Sequence, residues 1–228
     1  MTSALDPQVH GHRARLRTRF LEGGADALAD YELLELILFL AHPRRDVKPL
    51  AKSLIERFGS FAGVISADQA SLARTSAVGE TTIAALHSVR AAALRLAREQ
   101  AMERPVLSSW DRLLAYCRAQ LAHDQTERFH VLYLDTKNTL IRDEVESTGT
   151  IDHTPVYPRE VMRRALELGA AALILVHNHP SGDPTPSQSD IAMTREIVDA
   201  AKPLGIAIHD HLIIGRAGHA SMRGMGLL

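Results

Sequence analysis

The chain has 228 residues, 46% of them hydrophobic, and a formal net charge of −1; that is enough for one large domain or two small ones, and too neutral for the whole molecule to bind nucleic acid through its overall field. Cys117 is the only cysteine, which excludes an intrachain disulfide and a cysteine-based zinc cluster. No apolar run approaches the roughly 18–20 residues of a membrane span, and the basic start MTSALDPQVHGHRARLRTRF lacks the apolar stretch of a signal peptide, so a cytoplasmic protein with no membrane partner is expected.

Residues 11–104 read as helices throughout. DYELLELILFLA (30–41) is an almost wholly apolar, buried helix with Asp30 as its expected N-cap. DVKPLAKSLIERFGSFAGVI (46–65) places Leu50, Leu54, Ile55 and Phe58 at helical spacing and Gly59 where a helix would end. TTIAALHSVRAAALRLAREQAMER (81–104) is rich in Ala and Arg, carries no Gly or Pro, and predicts one long helix that Pro105 stops. After it the pattern changes. SSWDRLLAYCRAQLA (108–122) is a helix with Ser109 as candidate cap, and RFHVLYLD (128–135) with NTLIRDEVE (138–146) suggests a hairpin. PREVMRRALELG (158–169) is a helix with Pro at its start and Gly at its end, AALILVHNH (171–179) a buried strand, SQSDIAMTREIVDAAKPLG (187–205) a helix, and IAIHDHLIIG (206–215) a last strand. Helices alternating with buried strands make 105–228 an α/β domain. Two domains are expected, 1–104 all-helical and 105–228 α/β.

The chemistry concentrates in LVHNHPSGDPTPSQSD (175–190). Side chains alternate along a strand, so His177 and His179 share a side. Pro180 cannot continue a central strand, which puts both imidazoles at the strand end, where sites in α/β folds open. Two imidazoles and a carboxylate suit a catalytic zinc ion, which takes three protein ligands and leaves a position open. Asp190 is the best-placed third ligand, because the loop Ser181–Pro186 can fold the next helix back over the strand end. Ser187-x-x-Asp190 is also a helix capping box, and the two readings can coexist because an aspartate in a first helical turn stays ionised and can face a metal.

The spacing His-x-His-Pro-x₆-Ser-x-x-Asp, here His177, His179, Pro180, Ser187 and Asp190, resembles the JAMM (MPN-type) metalloprotease signature. The string HNHPSGDPTPSQSD and the later DHLIIG (210–215) are similar to the RadC family within that group. ADYELLELIL, FGSF and TSAVGETTIAAL resemble the helical region, with a helix-hairpin-helix-like turn, that RadC proteins carry. The resemblance covers nearly the whole chain. It implies a cytidine-deaminase-like JAMM/MPN α/β fold in the C-terminal half. It also implies a zinc-dependent hydrolase of peptide or isopeptide bonds with a protein or peptide substrate, and a link to DNA repair by family name. In that fold the proton carrier is a glutamate just before the first strand, which here is Glu127; Glu144, Glu146 and Glu160 are its rivals. Ser187 is the candidate donor to the oxyanion of the tetrahedral intermediate.

Competing sites fail on sequence. An HNH nuclease spreads its named residues over tens of positions, and a metallo-β-lactamase-like H-x-H-x-D-H needs aspartate where Ser181 stands. A (β/α)₈ barrel needs about 250 residues in all, and zinc deaminases need a C-x-x-C. His209-Asp210-His211 puts two further histidines on one face of a strand, with a structural or supporting role expected. Two other functions stay open. One is a DNA-repair-associated accessory protein that binds DNA weakly through the turn Ala77-Val78-Gly79 in residues 11–104. The other is a non-catalytic, metal-stabilised interaction module. Arg74 and Arg90 are the sparse arginines flanking that turn, and Glu80 adds negative charge to it. Sequence leaves the substrate and the oligomeric state open.

Overall fold

The computed structural model describes residues 7–102, 105–148 and 156–228. The N-terminal stretch MTSALD and residues 103 and 104, where the long helix and the first domain are expected to end, lie outside the described residues. The chain divides into two compact units, the first running to Ala92 and the second from Ala93.

The first unit contains α1 (Pro7–Gly23), α2 (Asp30–Ala41), α3 (Lys48–Phe58), α4 (Phe61–Ser66), α5 (Gln69–Ala73) and the start of α6 (Glu80–Met102). Leu34 and Leu38 of α2, Leu50 and Leu54 of α3, Val64, Leu72 and Leu86 form its core. α2 spans the expected residues, but its N-cap is Ala29, whose N–H donates to Glu32 Oε2 at 3.0 Å. Asp30 instead accepts from the Phe61 N–H at 3.3 Å, so it caps the start of α4 across the unit. Gly59 takes φ 82° and breaks the 46–65 stretch into α3 and α4. Between α5 and α6 lies the Ala77-Val78-Gly79 turn. Ala77 occupies the left-handed region at φ 67°, a conformation that glycine adopts without strain.

The second unit is a mixed five-stranded sheet in the order β2-β1-β3-β4-β5, covered by helices on both faces. Its strands are β1 (Arg128–Leu134), β2 (Leu140–Thr148), β3 (Ala172–Asn178), β4 (Ala207–Gly215) and β5 (Gly218–Ser221). β1 is antiparallel to β2 and β3, β3 is parallel to β4, and β4 is antiparallel to β5. The hairpin is as expected: Asn138 takes φ 60° in its turn and Asp135 Oδ1 accepts from the N–H groups of Lys137 and Thr139, each at 2.8 Å. On one face, α7 (Trp110–Leu121) packs Leu113, Tyr116, Cys117 and Leu121 against Leu132, Ile174, Val176, Leu212 and Ile214. Ala97 and Ala101 from the end of α6 join that cluster, which is why the division falls within α6. On the other face, α8 (Pro158–Leu168) and α9 (Gln188–Ala201) cover Phe129, Val131, Tyr133, Leu173 and Leu175.

Three further local expectations change. Ser109 sits at the N-cap of α7 without capping it, because its hydroxyl donates back to the Pro105 carbonyl at 3.2 Å. α9 ends at Ala201 and a short 3₁₀ turn carries the chain to Gly205, since Pro203 brings no N–H for the next helical bond. β4 is not the last strand: GHAS folds back as β5, a four-residue edge too short to signal itself.

Candidate metal centre

β3 and β4 run side by side up to Asn178↔Ile214, and the His179 N–H closes the ladder on the Ile214 carbonyl at 2.9 Å. The chain then turns through Pro180. The Gly182 N–H bonds the His179 carbonyl at 2.9 Å with Gly182 at φ 95°, and the Gly182 carbonyl accepts from Ala217 N–H at 3.1 Å. Arg216 Nη2 donates to the Ser181 carbonyl at 2.9 Å. The loop is thus fastened to the β4–β5 turn, and it delivers the start of α9 to the end of β3.

There Ser187 and Asp190 form the expected capping box. Ser187 Oγ accepts from Asp190 N–H at 3.1 Å, and Asp190 Oδ2 accepts from Ser187 N–H at 2.7 Å and Ser187 Oγ–H at 2.6 Å. The same carboxylate faces the histidines. Asp190 Oδ1 lies 3.3 Å from His177 Nε2, Oδ2 lies 3.4 Å from His179 Nε2, and the two Nε2 atoms are 2.9 Å apart. One ligand atom from each of the three residues falls within 4.8 Å of the others, and this trio is the group of its kind among the described residues.

The hydrogen bonds behind the three candidate ligands orient them. His179 Nδ1–H donates to the Asp183 carbonyl at 2.8 Å, which in the neutral ring leaves the lone pair on Nε2. His177 Nδ1 meets His211 Nε2 at 2.8 Å, and His211 Nδ1 meets Thr194 Oγ1 at 2.6 Å; the Thr194 hydroxyl donates to the Asp190 carbonyl at 2.5 Å. One set of proton positions satisfies this series with the lone pair of His177 on Nε2: His177 donates to His211, His211 to Thr194, Thr194 to Asp190. The series starts at one candidate ligand, His177, and ends on the backbone of another, Asp190. Such outer partners fix imidazole orientation and raise ligand basicity.

Burial lowers the pKa of His177 to about 4 against the opposing pull of Asp190, and it lowers that of His211 well below the ordinary value. Both rings are therefore neutral near pH 7. The Asp190 hydrogen bond raises His179. Burial on its own would raise Asp190, but the donors from His179 and Ser187 and the charge of His177 hold it well below the usual carboxylate range. The deprotonated Asp190 and the neutral His177 are in the states that bind a divalent metal, which would displace any proton that His179 carries on Nε2. The donor set fits zinc: two nitrogens and a carboxylate oxygen converge, and the other nitrogen of each ring is already engaged.

Glu127 immediately precedes β1, is partly exposed, and lies close enough for its charge to raise the His179 pKa. Its rivals are engaged elsewhere. Glu144 is gripped by the Arg164 guanidinium at 2.7 and 2.5 Å, Glu146 accepts from the Tyr133 hydroxyl at 2.5 Å, and Glu160 pairs with Arg163 at 3.0 Å. Of the second histidine cluster, only His211 touches the site. A register shift in the β3–β4 pairing skips His209, so the expected shared face is lost and His209 reaches Asn138 instead, at 2.5 Å. Asp210 is buried and ties β4 to the C-terminal turn, accepting from the N–H groups of His211 and Arg223 at 2.7 and 3.0 Å and from the Ser221 hydroxyl at 2.5 Å. Sequence reasoning missed Thr194 and Asn178. Thr194 stands four residues after Asp190, a spacing that puts both on one helix face and could have flagged it.

A mixed sheet between helices, with two histidines at a strand end and an aspartate in the next helix, defines an α/β domain of the JAMM/MPN class. The family described as the RadC-like JAB domain matches residues 107–227. The chain is 61% identical over 213 residues to a UPF0758 protein of Rhodobacter capsulatus, covering 93% of this chain and all of that one. It is 58% identical over 220 residues to UPF0758 protein SPO0054 of Ruegeria pomeroyi, covering 96% of this chain and 98% of the relative. The chain belongs to the RadC family. Among the described residues no helix is long and apolar enough to cross a membrane.

Proposed function

We propose that the protein is a zinc-dependent hydrolase of peptide or isopeptide bonds, a JAMM-type metallopeptidase working in the cytoplasm. The observation that carries this reading is the convergence of His177 Nε2, His179 Nε2 and the Asp190 carboxylate, with both Nδ1 atoms already bonded. These three residues would hold the ion, which when bound lowers the pKa of a water molecule and polarises a carbonyl oxygen. Glu127 takes the proton of the attacking water and passes it to the leaving amine. Its side chain is partly exposed. Ser187 Oγ stands within the site, bonded to Asp190 Oδ2 and 2.8 Å from Ser189 Oγ, and donates to the oxyanion by exchanging one of these partners.

The test is a peptide-library cleavage assay on zinc-loaded protein beside Glu127→Gln. The variant keeps the shape of the side chain but accepts no proton, so turnover should fall by about 10²–10⁴, the usual contribution of a positioned acid–base group, with zinc content unchanged. Turnover retained in Glu127→Gln but abolished in Glu144→Gln or Glu160→Gln would reassign the proton carrier. No cleavage of any peptide by the zinc-loaded wild type would favour the interaction-module reading.

A second reading, weak DNA contact through the first unit, is favoured by the left-handed turn at Ala77 between α5 and α6. Arg74 beside it already donates to Ser71 Oγ at 2.8 Å. Duplex binding by the full chain is therefore expected at roughly 10⁻⁴–10⁻⁶ M or weaker at physiological salt, the range of non-specific contacts. Tight, sequence-selective binding would put DNA ahead of the peptide as ligand.

A further inference from the structure

The residue between the two histidines is Asn178, and its side chain is on the α7 side of the sheet, away from the ligands. It is 1% exposed. Its amide meets the segment that leads into β1: Oδ1 accepts from Arg128 N–H at 2.9 Å, and Nδ2 donates to the carbonyls of Thr126 at 3.1 Å and Asp124 at 3.4 Å. The β1–β3 ladder has its last pair at Phe129↔His177. Beyond that pair the Asn178 side chain takes over the hydrogen bonding that backbone provides elsewhere. Two of these bonds, to the Thr126 carbonyl and the Arg128 N–H, fix both peptide groups that flank Glu127, and the third holds the Asp124 carbonyl.

We infer that Asn178 is the positioning residue that sets Glu127 against the histidine pair, an inference that rests on the proposed role of Glu127. One residue type serves both ends of the requirement. Only an amide offers an acceptor for Arg128 N–H together with donors for two carbonyls. Glu127 stands two positions before Phe129, whose strand partner is His177, so an extended chain turns both to the ligand face. The chain interval between a strand-end histidine and its neighbour thus does two jobs: odd positions present ligands on one side, and the even position holds the proton carrier's segment from the other. Without Asn178, the peptide groups on either side of Glu127 lose these bonds, and the carboxylate shifts from its working position while the histidines stay where they are.

The test uses full-length, ¹⁵N-labelled protein loaded with Co²⁺, whose paramagnetism shifts nearby amide signals according to their position relative to the metal. In the wild type the amides of Glu127 and Asp190 should both be shifted. Asn178→Ala should lose the Glu127 shift and the exchange protection of the Arg128 amide, while keeping Co²⁺ affinity and the Asp190 shift. Asn178→Asp keeps the acceptor for Arg128 N–H but turns an oxygen toward two carbonyls. It should preserve Arg128 protection and still lose the Glu127 shift, a split that general loosening would not produce. A Glu127 shift retained in both Co²⁺-loaded variants overturns the inference and leaves the metal reading intact. Loss of Co²⁺ binding or of the Asp190 shift in both variants also overturns it, making Asn178 a support of the metal site itself. No Co²⁺ uptake by the wild type overturns the metal reading, and this inference with it.

Discussion

Gly215 closes the DHLIIG stretch, and its replacement by alanine tests how the loop holds His179. A Cβ on residue 215 would stand 2.3 Å from the Gly182 carbonyl oxygen, 2.8 Å from its carbon and 3.1 Å from Pro184 Cδ. Non-bonded heavy atoms settle near 3.5 Å, so the Gly182 carbonyl must retreat by about 1 Å. No flexible side chain can yield in its place, because the nearest atoms are backbone. The carbonyl accepts from Ala217 N–H, the Gly182 N–H bonds the His179 carbonyl, and the next residue's carbonyl receives His179 Nδ1–H. The shift therefore reaches a ligand through two bonds. Overpacking of this kind costs about 1–3 kcal/mol, and loss of an outer hydrogen bond to a ligand weakens metal binding by roughly 10–100-fold. Gly215→Ala should melt several degrees below the wild type, at about 2–4 °C per kcal/mol, and bind zinc correspondingly more weakly in competition with a chromophoric chelator. Gly79→Ala is the control, since a Cβ there meets nothing within 4 Å. Wild-type melting and zinc affinity in Gly215→Ala would refute the claim that this loop orients His179.

Three further outcomes are expected. His211→Leu leaves His177 Nδ1–H without its acceptor, so zinc binding should weaken by about 10–100-fold; His211→Gln, which offers an oxygen, should recover part of the loss, and equal affinities in the two variants would remove His211 from the site. Ala77→Gly relieves a left-handed alanine at about 1–2 kcal/mol against roughly 0.5–1 kcal/mol of added chain entropy, so calorimetry should show the first unit slightly stabilised; a clear destabilisation would contradict the φ of 67°. The Arg164 hydrogen bonds lower the Glu144 pKa from 4.5. A lowered carboxyl contributes stability above its unfolded pKa and loses it as pH falls through the folded value. The stability gap between wild type and Arg164→Met should therefore shrink below about pH 4.5, and a gap constant with pH would refute the pairing.

The convergence of His177, His179 and Asp190 was legible because its signal is local: a strand-end His-x-His, a proline, and an aspartate three residues into the next helix fall within 14 positions, 177–190. The hairpin, α8 and β3 were legible for the same reason, each bounded by Pro, Gly or Asx punctuation. What was hidden depends on register between distant segments. A bulge at His209 decides that His211, not His209, faces His177, and no period in IAIHDHLIIG announces it. Asp30 is a good N-cap by type, yet its carboxylate serves Phe61 N–H, 31 residues away. Asn178 carries no sequence signal, because its partners, Asp124, Thr126 and Arg128, are remote in sequence. The expected end of the first domain follows composition, whereas the contacts divide within α6, because Ala97 and Ala101 serve the second core.

The most direct measurement of the central claim is the metal content of the full chain purified without added metal, by elemental analysis, in the wild type and in three variants. One zinc per chain is expected in the wild type, loss in His177→Ala and in His179→Ala, and retention in His209→Ala, whose ring bonds Asn138 outside the site. No transition metal in the wild type after equilibration with zinc, or zinc retained in full when both His177 and His179 are replaced by alanine, would contradict the account.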